Sequence, residues 1–542
     1  MSTQKKQSFL GGAAILAAAV IAVKAIGFFY KIPLNNLLGS AGKTYFNVAY
    51  NIYNVLLTIS TAGLPLAISK LTSEAHALGK ENEKRKLFRT SIWLFFALGL
   101  AGSLFMFFGT DAVTAVMHNQ GAYGAIRALA PAVFCVCLLA CMRGYTQGQG
   151  DMKPTAVSQI LEALCKLGVG LPLAWYFIRL YQGQGDRAME HAASGAIFGV
   201  TVGTVLSMLF LIFYLLRHRD QTQSLDVPPS SATLMKRVLA IGIPITLSNS
   251  AMSIITLVDT SIVLGRLQGA LHLTELQASA LNGQYSMAMD LVNLPPAFVY
   301  PVTMSLIPFA AAAMARQDKN GAGRVISAAF RLIVLLALPC GVGLSVLSTP
   351  ICQMLYPLQM EDALAAGGHL RILGIACIFI CIMILTNAIL QSYGKVRIPI
   401  ITVILGGLTK IVMNYILVGN PDINIQGAPI STLCCYMVIA GLNLYFVWKY
   451  SPERPHYIAL FAKPILASAL MGGAVWGVYG LLNRVLVGGH SAYGTNAVAA
   501  LGGVCAGVAV YFVLVLTLGL LRAEDVKTIP HGEKIVKILR LK

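Results

Sequence analysis

Six ionisable residues stand within long apolar stretches of this 542-residue chain: Lys24, Glu162, Lys166, Asp259, Asp290 and Lys410. A charge in hydrocarbon is costly, so it is kept where it meets a partner, a wet cavity or a ligand. Glu162 and Lys166 are four residues apart, close enough to pair on one helix face. A self-neutralising pair and a functional pair remain equally open. Lys24 has no partner on its own stretch and lies roughly 22 Å from its inner end, too deep to snorkel. Lys31, seven residues on, shares that face and also reads as an interfacial lysine. Lys410 lies about 16 Å into its stretch, with Asn414 one turn away. Cations outnumbering unpaired acids suit an anionic substrate, phosphate above all. Asp259 and Asp290 suit a cation, a proton or a lysine partner. Asn47, Asn51, Asn54, Thr58, Ser60 and Thr61 crowd one stretch and suit a cavity wall, although the last three also suit close helix packing.

The elements that must position these residues are membrane helices. Hydrophobic residues make up 57% of the chain and charged ones 11%, against about 25% charged in soluble domains. That balance excludes a water-soluble enzyme and a disordered chain. A spanning helix needs about 20 apolar residues. Fourteen such spans are expected, from 9–30 and 44–70 through 155–178, 238–264, 282–313 and 399–418 to 496–521. Of the 40 Lys and Arg, 29 fall on one side and eight on the other. The positive-inside rule therefore places both termini in the cytoplasm. The formal charge of +19 is met by anionic lipid, with no need of nucleic acid. Residues 1–23 resemble a signal peptide, but the apolar run continues to Tyr30, which favours an uncleaved first helix.

The chain also repeats itself. A shift of 235 residues brings Lys24 onto Asp259, Lys31 onto Arg266 and Tyr50 onto Tyr285, and a shift of 244 brings Gln147, Gly150 and Lys166 onto Gln391, Gly394 and Lys410. Spans of equal rank enter from the same side, the mark of a parallel repeat. The expected fold is an all-α integral membrane protein of 14 transmembrane helices. Two six-helix lobes, 1–236 and 237–450, are followed by two C-terminal helices and a tail in 451–542, with N- and C-termini cytoplasmic. The eleven cysteines sit mostly in apolar stretches and form no CxxC pair, so packing is expected rather than a metal site or disulfides. The nine histidines fall in loops or at span ends, leaving no midplane relay. The Gln-Gly-Gln-Gly runs at 147–150 and 182–185 lack the strand and the Gly-Lys-Ser/Thr of a phosphate loop, so no cofactor is expected.

Several blocks carry a family resemblance. Ala62-Gly63-Leu64-Pro65-Leu66-Ala67-Ile68-Ser69-Lys70 looks like the block that ends helix 2 in the stage V sporulation protein B family. Arg143-Gly144-Tyr145-Thr146-Gln147-Gly148, with Met152, Pro154-Thr155-Ala156, Ser158-Gln159 and Glu162, resembles a second block of that family. Leu291 to Pro295, Lys410 with Asn414, and Gly427-Ala428 with Ser431-Thr432 match in order. The family belongs to the multidrug/oligosaccharidyl-lipid/polysaccharide exporter superfamily, beside MurJ-like flippases. The resemblance implies a V-shaped pair of lobes that moves a polyprenyl-diphosphate-linked sugar between leaflets. It implies that Lys24 and Lys31 stand where such flippases place diphosphate-binding arginines on helix 1, whereas Leu57 and Asp290 occupy the positions on helices 2 and 8. It also implies that Asp259, Asn414 and Thr432 lie where some relatives bind sodium, with Lys410 in place of a further ligand.

The reading that follows is a flippase for lipid-linked oligosaccharide in the bacterial plasma membrane, not an enzyme, working as a monomer by alternating access. Lys24, Lys31, Asn51 and Arg143 are the expected substrate contacts. Glu162, Lys166, Asp259, Asp290, Lys410 and Asn414 are the expected coupling or gating groups, with no bound metal. The membrane potential, Na+ or H+ supplies the drive, at about 2.3 kcal/mol per charge per 100 mV for the potential. The alternatives are a cation-coupled drug exporter, a membrane-embedded polyprenyl-sugar transferase and a division or sporulation scaffold.

Overall fold

The computed structural model describes residues 9–61, 63–218, 224–300, 303, 319–451, 454–486 and 491–520. Among these, every regular element is helical. The first half comprises α1 (Phe9–Thr61), α2 (Leu64–Ala77), α3 (Glu81–Phe108), α4 (Tyr123–Gly148), α5 (Lys153–Cys165), α6 (Leu171–Leu180) and α7 (Asp186–Arg217). The remainder comprises α8 (Ser231–Gly269), α9 (Glu275–Val292), α10 (Lys319–Val346), α11 (Met360–Ser392), α12 (Arg397–Leu417), α13 (Gly427–Tyr450), α14 (Tyr457–Leu486) and α15 (Ala492–Thr517).

Twelve stretches of the described residues are helical, long and apolar enough to cross a membrane. Fourteen separate spans were expected, and the difference has two sources. The first stretch, Ala18–Ala77, runs for 60 residues and covers two expected spans. It is broken at Gly39, whose φ of 62° and ψ of −172° lie outside the helical region and are open to glycine at little cost. The expected span at 282–313 lies partly outside the described residues. Pro65 sits in the first turn of α2, where its missing N–H costs nothing.

The chain forms two compact units, Met1–Gly283 and Gln284–Lys542. In the first, α3 packs on α4, α4 on α7, and α8 lies along α1, α2 and α3. In the second, α10 packs on α11, α11 on α13, and α14 on both α10 and α15. The neighbour order α3–α4–α7 thus recurs as α10–α11–α13. The unit division falls inside α9, so α8, the expected first helix of the second lobe, packs within the first unit.

Close contacts through small residues hold such bundles, because lipid tails are as apolar as the helix surfaces. A Cβ on Gly144 would fall 2.6 Å from the Pro65 carbonyl oxygen. The two sequence blocks that carry the resemblance therefore meet backbone to backbone. Polar staples fix both ends of the first unit. At one end, Asp226 accepts from the Asn82 and Glu83 amides at 3.0 and 2.8 Å, capping α3 from the linker before α8. At the other, the Thr44 hydroxyl donates to the Ser279 carbonyl at 2.7 Å, and the Asn119 amide donates to the Ser279 hydroxyl at 2.8 Å. The eleven cysteines form no disulfide, and most of them are buried.

Candidate functional site

Helix α5 does not run straight into α6. Residues Lys166–Gly170 form a π-helical turn between them, a local widening often found at functional sites. Glu162 lies in the last turn of α5 and Lys166 opens the π turn. The four-residue spacing made them candidate partners, but each takes its direct contact from a neighbouring helix.

Glu162 Oε1 lies 3.4 Å from Arg143 Nη2 of α4. That distance makes an ion pair, while neither atom makes a hydrogen bond. Arg143 is held in place by its Nε, which donates to Ser158 Oγ at 2.9 Å. Lys166 Nζ instead donates to Tyr50 Oη on α1 at 3.4 Å and lies 5.5 Å from that ring. The Tyr50 ring stacks on Phe46 at 5.7 Å and neighbours Tyr53 at 5.8 Å, which fixes its orientation. Lys31 is near enough to act electrostatically on both Tyr50 and Lys166. Arg143 and Glu162 in turn act on Tyr53. Lys166, Arg143 and Glu162 therefore gather about a pair of tyrosines inside the first unit, with Lys31 on the tyrosines' own helix.

Beside this cluster, α1 and α8 enclose a polar cavity of about 260 Å3, lined by Asn51, Asn54, Thr58, Met252, Ser253 and Thr256. Asn51 Nδ2 donates to Thr260 Oγ1 at 3.2 Å, and the Thr58 and Ser253 hydroxyls lie 3.1 Å apart. Asp259, next to Thr260, is buried. Lys24 is exposed on α1 and does not line this cavity.

The second unit holds the other sequence candidates. Asn414 and Asp290 are buried. Lys410, a turn before Asn414, is near enough to act electrostatically on Tyr436. The Tyr285 and Thr432 hydroxyls are 2.8 Å apart, so Thr432 is already engaged. The repeat relates Lys166 to Lys410 and Tyr50 to Tyr285. The unit also carries an apolar groove of about 540 Å3, lined among others by Leu291, Pro295, Pro339, Met471 and Tyr511.

Sequence reasoning missed the tyrosines and Ser158 as partners. The match of Tyr50 with Tyr285 was the available signal. It also placed His369 at a span end, whereas the ring is buried in α11, with Tyr285 edge-on at 6.4 Å.

Comparison with known proteins places this geometry in context. A family model described as "Polysaccharide biosynthesis protein" matches residues 9–314, and one described as "MatE" matches residues 244–416. "Uncharacterized membrane protein YabM" of Bacillus subtilis (strain 168) is 25% identical over 98% of this chain and 96% of its own length. "Stage V sporulation protein B" of the same organism is 22% identical over 97% of this chain and 98% of its own. Among solved structures, "Lipid II flippase MurJ, inward closed conformation" superposes with a TM-score of 0.68 at 15% identity, over 93% of this chain and 98% of that one.

Proposed function

Because the chain belongs to the polysaccharide biosynthesis protein family, we propose that it is a flippase for a polyprenyl-diphosphate-linked oligosaccharide. It would carry the sugar from the inner to the outer leaflet of the bacterial plasma membrane by alternating access, with both termini cytoplasmic. The observation that carries this reading is the cluster of Lys166, Arg143 and Glu162 about Tyr50 and Tyr53, two cations to one carboxylate, with Lys31 acting electrostatically on Tyr50. A diphosphate suits such a cluster. Arg143 Nη2, which makes no hydrogen bond, offers a charge-assisted donor to it. Lys24, exposed on the same helix as Lys31, is the first cation a headgroup would meet. The polar cavity at Asn51 suits sugar hydroxyls. The relatives' printed functions, a sporulation protein and a lipid II flippase, support this class.

Asp259, Asp290, Lys410 and Asn414 are assigned to coupling and gating on this reading. A cation-coupled exporter remains the second reading, favoured by the MatE match over residues 244–416. Lys166→Met separates the two. In proteoliposomes it should cut lipid-linked sugar flipping at least about tenfold, the loss of one charge-assisted contact, while the protein stays folded. Unchanged flipping by that variant would overturn the assignment of the cluster.

A further inference from the structure

The basic end of the first unit carries a cleft that the proposed transport site does not use. α3 and the opening turns of α8 face each other across a cavity of about 710 Å3. Arg85, Lys86, Arg89 and Trp93 form one wall, and Pro228, Ser231 and Met235 contribute to the other. Arg85, Arg89 and Trp93 recur every four residues, so one stripe of α3 faces the cleft. No Asp or Glu is among its lining residues.

The acids nearby are engaged elsewhere. Glu81 pairs with Lys84, Glu83 with Lys80 and Arg237, and Asp226 with the amides that begin α3. Lys86 and Arg89 enter no ion pair among the described residues. The start of α8, a helix of 39 residues, adds the partial positive charge of its N-terminus. Trp93 is 70% exposed, as befits an indole at a membrane interface. Met235 also lines a second, mostly apolar cavity of about 610 Å3, together with Lys236, Leu239, Ala240, Ile243 and Pro244. A cationic pocket and a mostly apolar trough therefore share Met235 on α8. Free phosphate would fill only the first, whereas a phosphate-headed lipid fills both.

We propose that this cleft binds the phosphate headgroup of a membrane lipid, with one of its chains laid along α8. Arg89 and Lys86 supply charge-assisted donors. The Asp226 cap and the Arg237–Glu83 pair hold the two walls at a fixed spacing.

Thermal unfolding of the whole protein in neutral detergent tests this. Phosphatidylglycerol, undecaprenyl phosphate, phosphatidylcholine and soluble glycerol 3-phosphate are each titrated in. Either anionic lipid should raise the Tm, since a ligand that binds the folded state stabilises it. Lys86→Gln with Arg89→Gln should weaken that response at least about tenfold. The charge-matched pair Lys395→Gln with Arg397→Gln, exposed on the second unit, should leave it intact. Native mass spectrometry of the same variants counts retained lipid and reads binding apart from stability. Four results would overturn the proposal: an equal response in the Lys86/Arg89 variant, an equal loss in the control variant, an equal effect of phosphatidylcholine, or an equal effect of glycerol 3-phosphate.

Discussion

Glu162 pairs with Arg143 on the neighbouring helix at 3.4 Å, while Lys166, one turn along, turns to Tyr50 at 3.4 Å. The cluster is therefore knit across three helices rather than neutralised along one. Its residues do not balance: Lys166 and Arg143 stand against Glu162 among the described contacts. That surplus is what an anionic headgroup would answer.

Removing one member of a buried ion pair costs more than removing both. Glu162→Gln should lower stability by about 1–2 kcal/mol, because Arg143, partly buried like Glu162, is left uncompensated. Combining it with Arg143→Gln should recover most of that loss. A double-mutant cycle by thermal unfolding in detergent should give stronger coupling between 143 and 162 than between 162 and 166. The reverse order would mean that the helix spacing, and not the observed contact, governs the pair.

Tyr50→Phe removes the hydroxyl that meets Lys166 but keeps the ring that stacks on Phe46. Stability should change by only about 1 kcal/mol, the net worth of one hydrogen bond. Flipping in proteoliposomes should fall more than stability does, since Lys166 loses its fixed position. Equal transport by the two proteins would make the contact merely structural.

Asp226 acts through the linker. Burial works against its ionisation, but hydrogen bonds from Ser224 and from the Asn82 and Glu83 amides outweigh that and hold its carboxyl below the usual aspartate value. A depressed folded pKa stabilises above the unfolded pKa of roughly 4 and is lost as pH falls through the lower folded value. Asp226→Asn should therefore remove a small stabilisation at neutral pH and flatten this part of the acid limb. Unfolding curves of the two proteins between neutral pH and pH 3 check this, and identical acid limbs would count against the cap.

Lys410 stands a turn before Asn414, and Thr432 is engaged by Tyr285. An ammonium there would take the place of a bound cation, making transport independent of external sodium. Exchange of sodium for potassium or choline should leave flipping unchanged in the native protein, and Lys410→Asn should abolish it or make it sodium-dependent. Strong sodium dependence of the unmodified protein would end this idea.

Much of the all-helical, many-span fold was legible because apolar length is an additive property that needs no neighbour. The break at Gly39 falls in the gap expected between the spans 9–30 and 44–70, but the sequence did not show that helical turns continue up to it from both sides. The blocks around Pro65 and Arg143 could be matched to a family, but only the structure shows Gly144 set against the Pro65 carbonyl. The site was legible as a set of charges and not as a set of pairs. Spacing says which side chains share a helix face, whereas the partners Tyr50, Ser158 and Arg143 arrive from other helices. The cationic cleft at Arg89 was hidden for another reason: its lysines and arginines fall in an ordinary positive-inside loop, and the two cavities that share Met235 exist only once α3 and α8 pack together.

The central claim is that the cationic cluster serves a diphosphate-linked sugar lipid. Purified protein in sealed liposomes, with a fluorescent polyprenyl-diphosphate sugar and a quencher confined to one side, measures it most directly. The account predicts protein-dependent crossing of the labelled lipid, lost with Lys166→Met, and no uptake of a cationic dye under the same conditions. Dye transport driven by a cation gradient, with lipid crossing no faster than in empty liposomes, would contradict it.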